Sequence, residues 1–233
     1  MEKNRMMLLF LVLCLSASLP AVAFGVSWTS SLAVDSTPAY DGHSIVVTAE
    51  ITNIETFDDT PDEEYPAGNE GVLDYRWYVN GTLQAETSSS ITLQNGTNGI
   101  TGPGDFDVVC EATYTIGEDS SDWTLVGSTI VTFFKVVFHA PNGQAIKSFN
   151  IIAGRSVDFE TELVPVDVNV DITYMTSNSA FAVTSIETPG TLTVSAPDDV
   201  GKTANVIACF NNEQVEFLAV KAVEVKVEVQ IVP

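Results

Sequence analysis

Histidine is scarce in this chain: His43 and His139 are the only two in 233 residues. Cysteine is nearly as rare, with Cys14 in an apolar N-terminal run and only Cys110 and Cys209 beyond it. Zinc needs three or four Cys, His or carboxylate ligands converging on one point. Two cysteines and two histidines on separate strand patterns do not supply that set, and two cysteines do not make a disulfide framework. Basic residues are few as well: nine Lys and Arg stand against 31 Asp and Glu, for a net charge of −22. Such a balance repels phosphate backbones and anionic lipid headgroups, which excludes nucleic acid and polyanionic membranes as natural partners. Helical periodicity is missing throughout, and so is any second long apolar run.

The one apolar run stands at the N-terminus. Lys3 and Arg5 precede "MMLLFLVLCL" (6–15), and "SLPAVA" ends in Ala21-Val22-Ala23, the small-x-small pattern that signal peptidase accepts. The run is shorter than the roughly 20 residues of a spanning helix. Leu13 stands before Cys14 where a lipoprotein signal carries a small residue, so Cys14 is read as part of the apolar core. Residues 1–23 are expected to be a cleaved signal peptide. Removing 23 of 233 residues leaves 210, with 30 acids, seven bases and a net charge of −23. The expected product is secreted, extracellular or at the cell surface, with the periplasm also open, and has no membrane insertion after cleavage.

What remains reads as strands. "SIVVTAEI" (44–51) sets Ile45, Val47, Ala49 and Ile51 on one face, and "AVEVKVEVQIV" (222–232) alternates in the same way. A period of two marks half-buried antiparallel strands. Asn-Gly pairs at 80–81, 95–96, 98–99 and 142–143 favour the positive dihedrals of tight hairpins. Strands are expected at 26–34, 43–51, 73–79, 89–93, 105–115 and 123–134, then at 135–139, 146–152, 155–163, 170–175, 190–195, 203–210 and 215–231.

The pattern is written twice. "GHSIVVTAEI" (42–51) returns as "GRSVDFETEL" (154–163), "DYRWY" (74–78) as "DITYM" (171–175), and "FDVVC" (106–110) as "NVIAC" (205–209). The offsets are 112, 97 and 99 residues, so the first copy carries about 15 extra residues between its first two matched strands. Those are "TFDDTPDEEYPAGNEG" (56–71). Two like domains follow, 24–134 with the acidic 56–71 insertion and 135–233. No Gly or Pro interrupts "STIVTFFKVVFHA" (128–140), so the junction is expected to be short and stiff.

At these residues the chain resembles the bacterial immunoglobulin-like and PKD-like β-sandwich modules of secreted and cell-surface proteins. "DYRWYVNG" is similar to their strand C with its core tryptophan, here Trp77, and "GPGDFDVVCEATYT" to strand F with Cys110. Tyr174 and Cys209 stand at the corresponding places of the second copy. The resemblance implies an all-β fold of two tandem immunoglobulin-like antiparallel sandwiches, with Trp77, Cys110, Tyr174 and Cys209 as core markers. Strand B carries Val47 or Ala49 and Phe159 where antibody domains have a cysteine, so the inter-sheet disulfide is absent. A sandwich of this kind says little about function by itself.

Catalytic readings fail on the residues. His43 lies between Asp41 and Ser44 but is matched by Arg155 in the repeat, which suits a solvated strand entry better than a triad. His139 precedes the Pro141-Asn142-Gly143 turn. Cys110 and Cys209 follow apolar residues in mid-strand, where a reactive thiol would need exposure and a basic neighbour. The first domain has no lysine and so cannot form an isopeptide staple; the lysines of the second stand in no motif that singles one out. Asn80 and Asn95 open formal glycosylation sequons that also read as hairpin turns.

Charge is the informative feature. Residues 24–134 hold 18 acids and one base, Arg76, whereas 135–233 hold 12 acids and six bases. In the first domain the acids gather in two loops: Asp58, Asp59, Asp62, Glu63, Glu64 and Glu70 between strands B and C, and Glu118, Asp119 and Asp122 between F and G. Such loops share one end of an immunoglobulin-like sandwich. They suggest a solvated acidic tip; a calcium site using Asp58, Asp59, Asp62, Glu63, Glu118 and Asp119 is the alternative. No Asp-x-Asp-x-Asp-Gly loop accompanies these residues. The expectation is a non-catalytic protein with a structural or adhesive role and an extracellular protein or glycan as partner. A carbohydrate-binding module would use Trp28, Trp123 or Tyr65 as its platform.

Overall fold

The computed structural model describes residues 24–58, 71–117, 119–185 and 190–225, and these residues form strands and loops without a helix. The first half contains β1 (Phe24–Val34), β2 (Ala39–Tyr40), β3 (Ser44–Asp58), β4 (Val72–Val79), β5 (Thr82–Leu83), β6 (Ser90–Gln94), β7 (Gly104–Ile116) and β8 (Asp119–Ser120). A long strand, β9 (Thr124–His139), crosses into the second half. There follow β10 (Ala145–Ile146), β11 (Ser148–Ile152), β12 (Ser156–Val164), β13 (Thr173–Thr176), β14 (Ala182–Ser185), β15 (Thr191–Ser195), β16 (Thr203–Phe210) and β17 (Glu213–Val223).

Each half is an immunoglobulin-like sandwich. In the first, β1-β3-β6 faces β9-β7-β4-β5; in the second, β9-β12-β15-β14 faces β11-β17-β16-β13. The edge pairings repeat too, since β2 runs parallel to β9 and β11 parallel to β17, while the remaining named pairs are antiparallel. Alternation explains the burial. Ile45 and Val47 of β3 are fully buried while Val46 and Thr48 turn outward, as a period of two requires. Gly42 and Gly154, the first residues of the repeated decapeptide, both take positive φ (120° and 71°) at the entry to β3 and β12. A Cβ on Gly154 would also collide with the Asp198 carboxylate.

The junction differs from the expected abutment of two strands. Residues 124–139 form one uninterrupted strand that belongs to both sandwiches. Phe133 and Phe134 are neighbours in the chain and both fully buried, yet they enter different cores. Successive strand residues point to opposite faces. Val131 and Phe133 therefore pack with Trp77, Ile91 and Val108, whereas Phe134, Val136 and Phe138 pack with Phe159, Leu192 and Val206. The two cores lie on opposite sides of the shared sheet. Tyr40 of β2 reaches across to the second core, and the Asp41 N–H donates to the Phe134 carbonyl at 2.6 Å.

Other differences are local. β3 runs on to Asp58, so the expected insertion begins inside a strand. β2 and β14 were not anticipated; they are two and four residues long and exist by pairing with β9 and β15. The β16–β17 hairpin turns on Asn211 and Asn212 (φ 51° and 67°), an Asn-Asn pair doing what Asn80-Gly81 does at φ 47° and 74°. The C-terminal part of the expected last strand, from 226, lies outside the described residues.

Among the described residues β6 is an uncovered edge, because none of them forms a counterpart of β14 in the first sandwich. The Ala49 N–H donates to the Ser89 carbonyl, which turns the backbone groups of Ser90, Thr92 and Gln94 away from β3. Their three carbonyls are nevertheless occupied, by Ser88 Oγ, Asn98 Nδ2 and the Thr97 N–H and Oγ1 respectively. Local donors thus take the acceptors of an edge that a foreign strand would otherwise use.

Candidate functional site

The outer face of β9-β7-β4-β5 is built by alternation around the core. On β4, Trp77 and Val79 point inward, which turns Arg76 and Tyr78 outward. Register extends the face sideways. Arg76 lies opposite Glu111, which lies opposite Leu125; Tyr78 lies opposite Val109 and Leu83; Asp107 lies opposite Ile130. Among the described residues of 24–134, the exposed large apolar side chains are Val72 (61%), Leu83 (59%), Trp123 (39%), Leu125 (57%) and Ile130 (62%). All five lie on this face or at its rim, whereas the outer face of β1-β3-β6 carries Ser31, Ser44, Thr48, Ser90 and Thr92.

Arg76 organises the upper part of the face. Its Nε donates to Glu111 Oε2, and its guanidinium lies 4.4 Å from the centroid of the Trp123 ring and 5.7 Å from that of Tyr78. A guanidinium held by both a carboxylate and an aromatic face is pre-organised rather than free to sweep through solvent. The lower part ends at the junction. There Asp105 accepts from Thr132 Oγ1 at 2.7 Å, and Pro38, Asp105 and Thr132 form one wall of a groove whose other wall is Asp167, Val168 and Asn169 of the second sandwich. That wall is present because the second core sits on this side of the shared sheet.

The core markers are distributed as follows. Trp77 is fully buried directly opposite Cys110, and its Nε1–H donates to the Ser88 carbonyl at 2.9 Å. Burial, reinforced by the neighbouring Glu111 charge, pushes the Cys110 thiol up to about 12, so it is inert at neutral pH. Tyr174 is only partly buried; burial raises its phenol, and its O–H donates to Thr161 Oγ1 at 2.9 Å. The equivalence of Cys209 with Cys110 is displaced by one residue. Ala208 lies opposite Tyr174, and the ladder between β16 and β17 shifts register between Ala208 and Cys209. Cys209 is buried and free, its thiol also raised by burial.

The histidines are occupied in ordinary ways. His139 lies at the end of β9, with Nε2 2.9 Å from Glu162 Oε2 and Nδ1 3.1 Å from the Gly143 carbonyl. His43 packs its ring on Tyr40 at 5.4 Å. Asn80 accepts the Asp107 N–H on Oδ1. Trp28 packs partly buried against the first core. Of the expected cation ligands, Asp59, Asp62, Glu63 and Glu118, like Tyr65 of the expected platform, lie outside the described residues, as do the side chains of Asp58 and Asp119. Of the residues flanking these two connections, Val72, which opens β4, pairs with Thr115, and Ile116 pairs with Asp119. Among the described residues, no group of three His, Cys, Asp or Glu is placed to hold a metal ion. Arg76 was the missed residue, although "DYRWY" carried the signal: the neighbour of a core tryptophan in a strand must face outward.

No family model matches the chain, and no curated protein matches it in sequence. Among solved structures it is similar to the three N-terminal domains of the bacteriophage RB49 highly immunogenic outer capsid protein, at 10% identity and TM-score 0.35, over 84% of this chain and 59% of that one. It is similar to the full ectodomain of mouse nectin-like molecule 4 at 13% identity and TM-score 0.34, over 88% and 67% of the two chains. Invasin, a bacterial integrin-binding protein, gives 13% identity and TM-score 0.27, over 85% of this chain and 39% of invasin. The chain spans less than two thirds of the first and third of these structures. At such scores the likenesses carry no weight, and the assignment of two immunoglobulin-like sandwiches rests on strand order and register.

Proposed function

We propose that this is a secreted or surface-associated, non-catalytic binding protein that makes adhesive contact through the outer face of β9-β7-β4-β5. One observation carries the reading: every exposed large apolar side chain described in 24–134 falls on or beside that face and none on the opposite one. Exposed apolar side chains gathered on one face of a sheet, among charged neighbours, suit a surface that a partner covers. Trp123, Tyr78 and Arg76 are the residue types that dominate binding energy at protein contacts. A protein partner suits this face better than a sugar, because the Arg76 guanidinium stacks on the Trp123 ring.

The test is position-specific photo-crosslinking on intact producing cells. A photoreactive side chain at Leu83 or Ile130 should give a discrete adduct, and one at Thr48 or Thr92 should give none. Equal labelling from both faces would remove the proposal.

A further inference from the structure

The two outer faces of the second sandwich treat their polar side chains in opposite ways. On β12-β15, Thr191 donates to Glu160, Thr193 donates to Asp158 at 2.6 Å, and Ser156 meets Ser195 at 2.8 Å. That face satisfies itself across the strands. On β11-β17-β16 the register sets Asn150 and Thr203 either side of Lys221, and Ser148 and Asn205 either side of Ala219. The Asn205 N–H donates to Ser177 Oγ, but the side chains of Asn150, Asn205 and Lys221 make no hydrogen bond or ion pair with another described residue. Along β17 the outward residues are Phe217, Ala219 and Lys221. The small Ala219 methyl floors a shallow groove lined by Ser148, Asn150, Thr203, Asn205 and Lys221, and the exposed Phe217 ring stands two residues along β17 on the same face, beyond the groove's end. Beside Phe217 the same face continues through Ile207 to the exposed Met175, a short apolar row.

We infer that this groove binds an oligosaccharide carrying a carboxylate, with sugar hydroxyls on Asn150 and Asn205, the carboxylate on Lys221, and a neighbouring pyranose reaching past the groove's end to Phe217. Amides and hydroxyls donate and accept together, as sugar hydroxyls do. An extended peptide would instead want an open sheet edge for its main-chain groups, and this groove lies on the face of a sheet. The local charge at Lys221 is complementary, against the net charge of the chain. In a chain with 31 acids and nine bases, Lys221 has no carboxylate partner among the described residues, whereas Lys147 is paired with Glu216. The groove belongs to the second sandwich and is independent of the face proposed above for protein contact.

The experiment titrates the full chain by calorimetry with matched pairs: lactose against 3′-sialyllactose, and xylohexaose against xylohexaose bearing one glucuronate. A glycan array of neutral and singly carboxylated oligosaccharides widens the search. The carboxylated member of at least one pair should bind about ten-fold tighter than its neutral partner. Lys221→Gln should erase that difference and leave the neutral affinity unchanged. Ala219→Leu, which fills the groove from the solvent side, should abolish both, with thermal stability retained. Leu125→Asp, on the other sandwich, should change neither, so failure here is separable from failure of the protein-contact face. Absence of binding across the array overturns the inference. So does undiminished binding by Ala219→Leu, or occupation of the groove by peptides and not sugars.

Discussion

Phe133→Ala and Phe134→Ala alter adjacent residues of one strand, yet each should damage a different sandwich. Phe134 is fully buried and meets Phe210 edge-to-face at 5.1 Å; Phe133 is equally buried and meets Phe106 at 6.1 Å. Truncating a buried phenylalanine costs about 3–5 kcal/mol, a large share of the roughly 5–15 kcal/mol that holds a domain folded. For a sandwich of this size that lowers the melting temperature by at least about 12 °C. Hydrogen exchange read by mass spectrometry distinguishes the two. Phe133→Ala should speed exchange in β4 and β7 around Trp77 and Val108, and Phe134→Ala in β15 and β16 around Leu192 and Val206. Lys135→Ala, at the next and exposed position, should do neither. If both phenylalanine variants loosen the same sandwich, the cores do not lie on opposite sides of β9.

Three further outcomes follow from named contacts. The Cys110 thiol is raised in the folded protein, so its contribution is present below the ordinary thiol value near 9 and is lost as pH rises toward about 12. Tyr75 and Tyr174, also raised by burial, act in the same direction. The unfolding free energy of the wild type, read from urea titrations, should therefore fall more steeply than that of Cys110→Val across this window, by up to about 4 kcal/mol at its top; parallel curves would show the thiol to be solvated. Asn98→Ala frees the Thr92 carbonyl on the β6 edge and should raise the concentration-dependent dimer fraction in sedimentation velocity, while Asn98→Asp, unable to donate, should do the same; a monomeric pair of variants would mean the edge is closed by other means. Arg76→Lys keeps the charge but loses the planar stack on Trp123, and should shift the Trp123 emission without unfolding the protein; an unchanged spectrum would remove Arg76 as the organiser of the face.

The repeat was legible because each copy places the same residue types where a sandwich needs them. Gly42 and Gly154 open strand B with positive φ, and Trp77 lies opposite Cys110. The side switch in β9 was not legible. In "IVTFFKVVF" two alternations of opposite phase overlap, and a run of apolar residues does not say where one phase ends. β2 and β14 are too short to carry a period, and exist only because β9 and β15 offer them edges. Tyr174 lies opposite Ala208, whereas Trp77 lies opposite Cys110, so Cys209 stands one residue past the place expected for it, a slip that offsets alone do not reveal. The Arg76–Trp123 contact depended on how the loop before β9 returns over the sheet.

The proposed function requires one outer face of the first sandwich to be covered where the protein works. Hydroxyl-radical footprinting measures this directly, by comparing the free chain with the same chain on intact producing cells. Trp123, Leu125, Ile130 and Leu83 should be oxidised in the free protein and protected on the cell. Met175 and Phe217 of the second sandwich should be oxidised in the free protein as an internal standard. Equal oxidation of Trp123, Leu125, Ile130 and Leu83 in both states would contradict the claim, since it would leave that face open to solvent at the surface.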